Sequence, residues 1–263
     1  MIIQTTSILI LLLIFVRSSG IVFTAPIFGN LQVPTMIRIG LSVYLSVIID
    51  LSVPRTTLLA TGVTISDPTI IVLFVQEAFV GVALGIVANF VFYAVQFAGA
   101  LLDLQIGFSM VSLVNPGFST PSTPLANLIF ILFSLFFLAV NGDSNVILAL
   151  LQSYRYVPIG AAHFSGPVAN VFLHATITLF TIGVEIAAPV MLAIFLTNIA
   201  LAVASRAVPQ MNVFFIGLPI TLFIGLAMVG VMMPALVSLM KEFIFLMDQE
   251  INSLLLALGR GTS

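Results

Sequence analysis

Residues 68–102, PTIIVLFVQEAFVGVALGIVANFVFYAVQFAGALL, form a continuous apolar run whose one charged residue is Glu77. A helix that crosses a bilayer perpendicularly needs ~20 residues. Strands of a membrane barrel alternate apolar and polar residues, whereas this run does not alternate. In hydrocarbon the backbone must pair with itself, so the run predicts a helix longer than a simple span.

The composition of the whole chain predicts an all-α membrane protein. Of its 263 residues, 61% are hydrophobic and 6% are charged, and the mean hydropathy is +1.30. A soluble domain carries about 25% charged residues. The surroundings of most of the chain are therefore membrane lipid or other apolar helices.

Charge and residue inventory exclude several functions. The net charge is −2 and the seven basic residues are scattered, which argues against a nucleic-acid partner. The chain has no cysteine, and His163 and His174 lie in different segments, so we expect no metal and no cofactor. The sequence lacks G-x-S-x-G, H-E-x-x-H and a glycine-rich phosphate loop, so we expect no enzymatic activity.

The other apolar runs predict an irregular set of helices. Prolines 189, 219 and 234 fall inside two long runs and predict bent or broken helices and helical hairpins. Residues 8–16 resemble a signal-peptide core but lack a preceding basic residue and a cleavage motif, so we expect them to stay as the first helix. Residues 241–263 predict a short amphipathic helix and a frayed tail. The remaining apolar runs are 2–16, 39–53, 125–140, 168–204 and 213–240, and turn-forming residues separate them at 24–34, 115–124, 141–144 and 155–167.

Three carboxylates, Glu77, Asp103 and Glu185, fall within apolar runs. An ionisable group in a membrane faces the bundle interior or water. Such groups can form a proton or ion path, or they can form hydrogen bonds that pack helices together. Gly81 and Gly85, four residues apart, allow close helix packing.

Two polar breaks are candidate functional segments. Residues 103–124 place apolar side chains among glycine, serine, asparagine and proline, which is compatible with a flexible pore plug or with an interfacial loop. Residues 204–219 predict either a tight turn between two helices of a hairpin or a partner-binding tip. The residues that carry these interpretations are Gly107, Phe108, Ser109, Met110, Asn115, Pro116 and Phe118 in the first break, and Arg206, Pro209, Gln210, Asn212 and Phe214 in the second.

The motifs, taken in order, resemble those of the FliR family of flagellar type III export proteins, which includes injectisome counterparts. The resemblance covers nearly the whole chain, and its strongest part is Ser205-Arg206-Ala207-x-Pro209-Gln210-Met211-Asn212-x-Phe214. The other matching motifs are Arg17-x-x-Gly20, Ala25-Pro26-Ile27-Phe28-Gly29, Val33-Pro34, Arg38-x-Gly40-Leu41, Glu77 with Gly81 and Gly85, Gln96-x-x-Gly99, Asp103-x-Gln105-x-Gly107-Phe108-Ser109, Asn115-Pro116, Asn141-Gly142 and Ile216-Gly217-x-Pro219. Asp143-Ser144 departs from the histidine that flagellar members often carry there.

The resemblance implies one export-gate domain over residues 1–263, with a FliP-like part at about 1–167 and a FliQ-like part at about 168–263. It implies a closed channel built with FliP-like and FliQ-like subunits in the bacterial inner membrane, within the flagellar basal body. An FlhB-like protein is implied at the cytoplasmic side, and unfolded flagellar proteins are the implied cargo. Lipid surrounds only part of such an assembly.

The resemblance also assigns roles to the two polar breaks. It makes residues 107–124 a plug inside the channel, with Phe108 and Met110 as occluding side chains and Gly107 and Pro116 as joints. It places residues 206–214 at the turn of the FliQ-like hairpin. A secondary transporter with broken helices and a membrane scaffold without a pore stay open as alternatives.

Overall fold

The computed structural model describes residues 2–30, 32–60, 67–108, 123–164, 166–208, 210 and 212–259. Within these ranges the chain is helical, and its one β pairing is an isolated bridge between Leu59 and Ile159. The described helices are α1 (Ile2–Thr24), α2 (Thr35–Ser52), α3 (Arg55–Leu58), α4 (Asp67–Ile106), α5 (Pro124–Ala139), α6 (Gly142–Tyr156), α7 (Gly166–Ala207) and α8 (Val213–Gly259).

The helices confirm the prediction of an all-α membrane protein. Five of them are long and apolar enough to cross a membrane, namely α1, α2, α4, α7 and α8. Helices α5 and α6 meet that test together but are bent by 67° at the break between them, which gives up to six spans by length and composition. The break falls at the turn predicted at residues 141–144, where Asn141 adopts a positive φ of 58°. The chain is therefore a multi-pass membrane protein.

The three helix-interior prolines lie within continuous helices, so of the predicted bends or breaks no break occurs at them. Helix α7 continues through Pro189, and α8 continues through Pro219 and Pro234. A proline removes one hydrogen bond, and neighbouring groups in a membrane bundle can satisfy the carbonyl that it frees. The helix predicted after residue 241 is present but is not a short one, because it is the last part of α8, which runs to Gly259.

The chain folds as two compact units. Unit 1 comprises Met1–Phe90, Leu138–Thr176 and Ile244–Ser263, and unit 2 comprises Val91–Phe137 and Ile177–Phe243. This grouping differs from the division near residue 167 that the family resemblance implies, and that division stays a prediction.

Unit 1 is organised around the close crossing of α1 and α4. A Cβ atom added to Gly81 would collide with the carbonyl oxygen of Arg17, and one added to Gly20 would lie 2.9 Å from the backbone nitrogen of Val82. The two backbones therefore touch without intervening side chains. The end of α8 joins the same unit, since the backbone N–H of His163 donates to the carbonyl of Leu258 at 3.1 Å.

Unit 2 has an aromatic core. The ring of Phe92 on α4 makes edge-to-face contacts with Phe133 and Phe137 on α5, with centroid distances of 4.7 and 5.1 Å. Phe97 packs against Phe180 of α7 in the same manner at 5.1 Å. Such contacts add to the burial of apolar area, so they hold the second half of α4 between α5 and α7.

Candidate functional site

The first candidate segment begins where α4 ends. The backbone N–H groups of Gly107 and Phe108 both donate to the carbonyl of Asp103, at 3.2 and 3.0 Å. Gly107 has a φ of +99°, the conformation in which glycine commonly terminates a helix. Of the predicted plug residues, Ser109, Met110, Asn115, Pro116 and Phe118 lie outside the described residues.

Asp103 also holds the helix on the other side of this segment. Its Oδ1 accepts a hydrogen bond from the backbone N–H of Leu125, and its Oδ2 accepts one from Ala126, each at 3.0 Å. The residue is 2% exposed. A carboxylate is stabilised at the N-terminus of a helix because the first backbone N–H groups there have no intrahelical acceptor. Asp103 therefore anchors both flanks of the segment, the end of α4 through its carbonyl and the start of α5 through its carboxylate.

Close backbone packing lets Asp103 reach α5. Gly99 lies one helical turn before Asp103, and a Cβ atom added to it would collide with the backbone of Ala126. Residues four apart share one face of a helix. Gly99 thus permits the close approach that brings the Asp103 carboxylate to the start of α5.

A cleft of about 510 Å³ lies beside the end of α4, within unit 2. Thr221 of α8 closes one side, where its hydroxyl donates to the carbonyl of Leu218 at 3.0 Å and lies 3.3 Å from the carbonyl of Ile106. The cleft is lined by Leu104, Gln105, Ile106, Gly107, Asn198, Leu201, Ala202, Ser205, Gly217, Leu218 and Thr221. The predicted joint Gly107 therefore faces a space bounded by the two helices that flank the second candidate segment.

The second candidate segment is the turn of a helical hairpin. Helices α7 and α8 run back past each other, since a Cβ atom added to Gly217 would lie 3.4 Å from Cδ1 of Leu201. Arg206, Gln210 and Asn212 are exposed at the turn. Pro209 lies outside the described residues, as does the side chain of Phe214. The exposed polar side chains are placed where another chain can contact them.

The helix-packing residues predicted from the sequence lie on α4 against α1. Gly81 faces the carbonyl of Arg17, and a Cβ atom added to Gly85 would collide with the hydroxyl of Thr24. Glu77, one turn before Gly81, forms an ion pair with Arg17. Arg17 Nε lies 2.6 Å from Glu77 Oε2, and Nη2 lies 3.0 Å from Oε1, so the pair is bidentate.

Residues of α6 complete the surroundings of Arg17. Its Nη1 donates to the hydroxyl of Ser153 at 3.1 Å and to the carbonyl of Val157 at 2.9 Å, and its Cζ lies 4.2 Å from the centroid of the Tyr154 ring. Arg17, Glu77, Ser153 and Tyr154 are fully buried. The interaction joins α1, α4 and the end of α6. Ser153 and Tyr154 are not among the residues predicted from the sequence, because no local pattern links Ser153 to an arginine 136 residues away.

The predicted carboxylates have three different environments. Glu77 is paired, Asp103 caps a helix and Glu185 is exposed on α7. Among the described residues, no group of three or more His, Cys, Asp or Glu side chains could hold a metal ion. The geometry of Glu77 and Asp103 is that of groups that stabilise helix packing.

The fold and these sites define a membrane protein of long helices, with a segment between α4 and α5 whose two flanks Asp103 contacts and an exposed turn between α7 and α8. Residues 8–247 match the sequence profile of the family described as bacterial export proteins, family 1. The chain belongs to this family.

Curated relatives are similar over most of the chain. The flagellar biosynthetic protein FliR of Bacillus subtilis (strain 168) is 30% identical over 251 residues, which cover 94% of this chain and 95% of the relative. The protein of the same name from Aquifex aeolicus (strain VF5) is 31% identical over 233 residues and 88% of each chain. The Yop proteins translocation protein T of Yersinia pestis is 32% identical over 155 residues, which cover 58% of this chain and 59% of that protein.

Proposed function

We propose that this chain is a channel subunit through which unfolded flagellar proteins cross the bacterial inner membrane. Its place among the export proteins makes it a subunit of the flagellar export apparatus. The flagellar relative from Bacillus matches 94% of the chain and the Yersinia translocation protein matches 58%, which favours the flagellar branch. The FliP-like, FliQ-like and FlhB-like partners and the basal-body location belong to this proposal.

The proposed role is structural and not enzymatic. Arg17 and Glu77 form an ion pair with each other, and both carboxylate oxygens of Asp103 accept hydrogen bonds at the start of α5. Groups with these partners are poorly placed to act as general acids or bases. Energy for export would then come from other components of the apparatus, while this chain provides part of the channel wall.

The segment that begins at Gly107 is proposed to close the channel. The observation that carries this assignment is the anchoring of both its flanks by Asp103. Asp103 thereby holds the end of α4 next to the start of α5, the two points between which the segment runs. Opening requires cargo or a partner to bind the open form more tightly than the closed form.

The exposed hairpin turn at Arg206, Gln210 and Asn212 is proposed as a contact for neighbouring subunits. Its polar side chains are exposed at the end of two long apolar helices. An arginine there can donate several hydrogen bonds to a carboxylate or to backbone carbonyls of a partner.

Deletion of residues 107–119 tests the channel assignment. The complete set of export subunits would be expressed with the deleted or the unaltered chain, and both entry of a small dye into cells and export of flagellar proteins would be measured. A plug predicts increased dye entry with the deletion. Unchanged dye entry and unchanged export would favour the scaffold alternative.

Purification separates the channel subunit from the transporter alternative. The full-length chain would be extracted in mild detergent from cells that produce the whole apparatus. Recovery with FliP-like and FliQ-like chains is expected. A chain that is isolated alone and that moves a small solute in vesicles would support a secondary transporter.

A further inference from the structure

Glu185 lies at the middle of α7 and is exposed, in a helix that contains no other acidic residue. No hydrogen bond or ion pair joins its carboxylate to any residue that the structure describes. We define the exposed stripe of α7 by Ile177, Val184, Leu192, Phe195 and Ile199, which are 46–60% exposed. Between residues 177 and 199 of α7, Glu185 is the one charged residue, and the exposed polar residues there are the uncharged Thr181 and Asn198.

The backbone carbonyl of Glu185 also lacks its usual hydrogen-bond donor. In an α-helix the carbonyl of residue 185 accepts a hydrogen bond from the N–H of residue 189. Residue 189 is proline, which has no N–H. One residue thus provides two hydrogen-bond acceptors, a carboxylate and a carbonyl that lacks its intrahelical donor.

Lipid alone cannot cover helix α7. The 42 residues of this helix extend about 63 Å along its axis. A hydrocarbon core of about 30 Å accommodates about 39 Å of helix, or about 26 residues, even at a tilt of about 40°. About 16 residues of this apolar helix therefore need a covering other than lipid, and a carboxylate at the middle of the helix is strongly disfavoured against lipid.

We propose that the exposed stripe of α7 binds an apolar helix of a different subunit that carries an arginine or lysine opposite Glu185. A cationic side chain supplies the charge that the carboxylate lacks. Arginine fits best because its fork of N–H donors can reach the carboxylate and the adjacent carbonyl together. A second copy of this chain would place Glu185 against an equally charged Glu185 if the same stripes met. This inference rests on the proposed function as one subunit of a multi-subunit apparatus.

Photocrosslinking in cells that produce the whole apparatus tests which molecule covers the stripe. A photoreactive amino acid would replace Leu192 on the stripe or, as the control, Ile194, which is buried on the same helix. We expect Leu192 to yield an adduct with a different subunit and Ile194 to yield none. Adducts only with lipid, or only with a second copy of the chain, would overturn the proposal.

Charge substitutions test the partner chemistry. We expect Glu185→Lys to reduce recovery of the complex at least about tenfold, because like charges then face each other across the interface, and Glu185→Gln to reduce it by a smaller factor. Glu242→Lys, at an exposed carboxylate on α8, serves as the control and should assemble normally. The amount of chain in the membrane is measured in parallel, so that lost assembly is distinguished from lost folding.

Restoration by a reversed pair completes the test. An acidic residue placed at the crosslinked arginine or lysine of the partner should restore assembly to Glu185→Lys. Normal assembly of Glu185→Lys would overturn the inference and leave the proposed function intact. Failure of the unaltered chain to assemble with any other subunit would instead overturn the proposed function.

Discussion

Asp103 Oδ2 accepts a hydrogen bond from the backbone N–H of Ala126 at 3.0 Å, across the segment that joins α4 to α5. The carbonyl of the same aspartate accepts from the N–H groups of Gly107 and Phe108, where that segment begins. A single buried residue thus accepts hydrogen bonds from the backbone at both ends of the segment. This relationship is the structural basis for the channel-closing role proposed for the segment.

Replacing Asp103 with asparagine should weaken this anchor. An amide presents one acceptor and one donor group, so one of the two N–H groups at the start of α5 loses its partner. An unsatisfied buried donor costs about 1–3 kcal/mol. The measurement is the midpoint temperature of aggregation for the detergent-purified chain. Asp143→Asn, in the first turn of α6, is the control, and equal midpoints for both variants would contradict the assigned role.

Removing either member of the buried ion pair should destabilise the chain strongly. Arg17→Met and Glu77→Met each leave an uncompensated buried partner, which costs about 3–5 kcal/mol. The double variant Arg17→Met with Glu77→Met should recover much of this loss, because neither charge of the pair is then left buried without its partner. Membrane levels and thermal midpoints of the single and double variants form the test. Effects that simply add would show that the two side chains are not coupled.

Substitution by alanine should have opposite effects at Gly81, where α1 and α4 cross closely, and at Gly40, which has open space around it. Gly81→Ala places a methyl group against the carbonyl of Arg17, and overpacking of this kind costs about 1–3 kcal/mol. Gly40→Ala, in α2, meets no atom within 4 Å and should stabilise by about 0.5–1 kcal/mol, because alanine favours a helix. Thermal midpoints of the two variants check the prediction. Equal shifts would argue against backbone contact at Gly81.

Substitutions in the hairpin turn should leave the folding of the chain intact but should impair its assembly with other subunits. Arg206→Ala and Gln210→Ala remove exposed side chains, so the amount of chain in the membrane should remain near normal. Recovery of the other export subunits and swimming motility should both fall. Arg155→Ala, at an exposed arginine near the end of α6, is the matched control. Normal motility of both turn variants would contradict the proposal that this segment contacts neighbouring subunits.

Much of the helical architecture can be predicted from the sequence, because continuous apolar runs and clusters of turn-forming residues are local signals. Helix α6 is less evident, since Asn145, Gln152 and Ser153 interrupt its apolar pattern. The prolines of α7 and α8 predict a bend or a break, and no break occurs, because one missing hydrogen bond is a small part of a helix of 42 or 47 residues.

The tertiary contacts cannot be predicted in the same way. The sequence does not decide whether Glu77 packs helices or carries protons, because its partner Arg17 lies 60 residues away in the chain. Asp103 is visible as an unusual charge in an apolar run, whereas its two backbone partners lie 22 and 23 residues further on. Partners at such separations are determined by how the helices pack, which periodicity does not specify.

The sharpest test of the channel-closing role is the ionic conductance of the purified export complex in a planar bilayer. The complex with the unaltered chain should be closed, and the complex with Asp103→Ala should conduct, because the segment beginning at Gly107 loses the carboxylate that caps α5. The 107–119 deletion is the positive control, and Asp143→Ala is the substitution control that should stay closed. The contradicting result is an Asp103→Ala complex that assembles fully and stays closed while the complex with the 107–119 deletion conducts. That result would show that Asp103 does not hold the channel-closing segment in place.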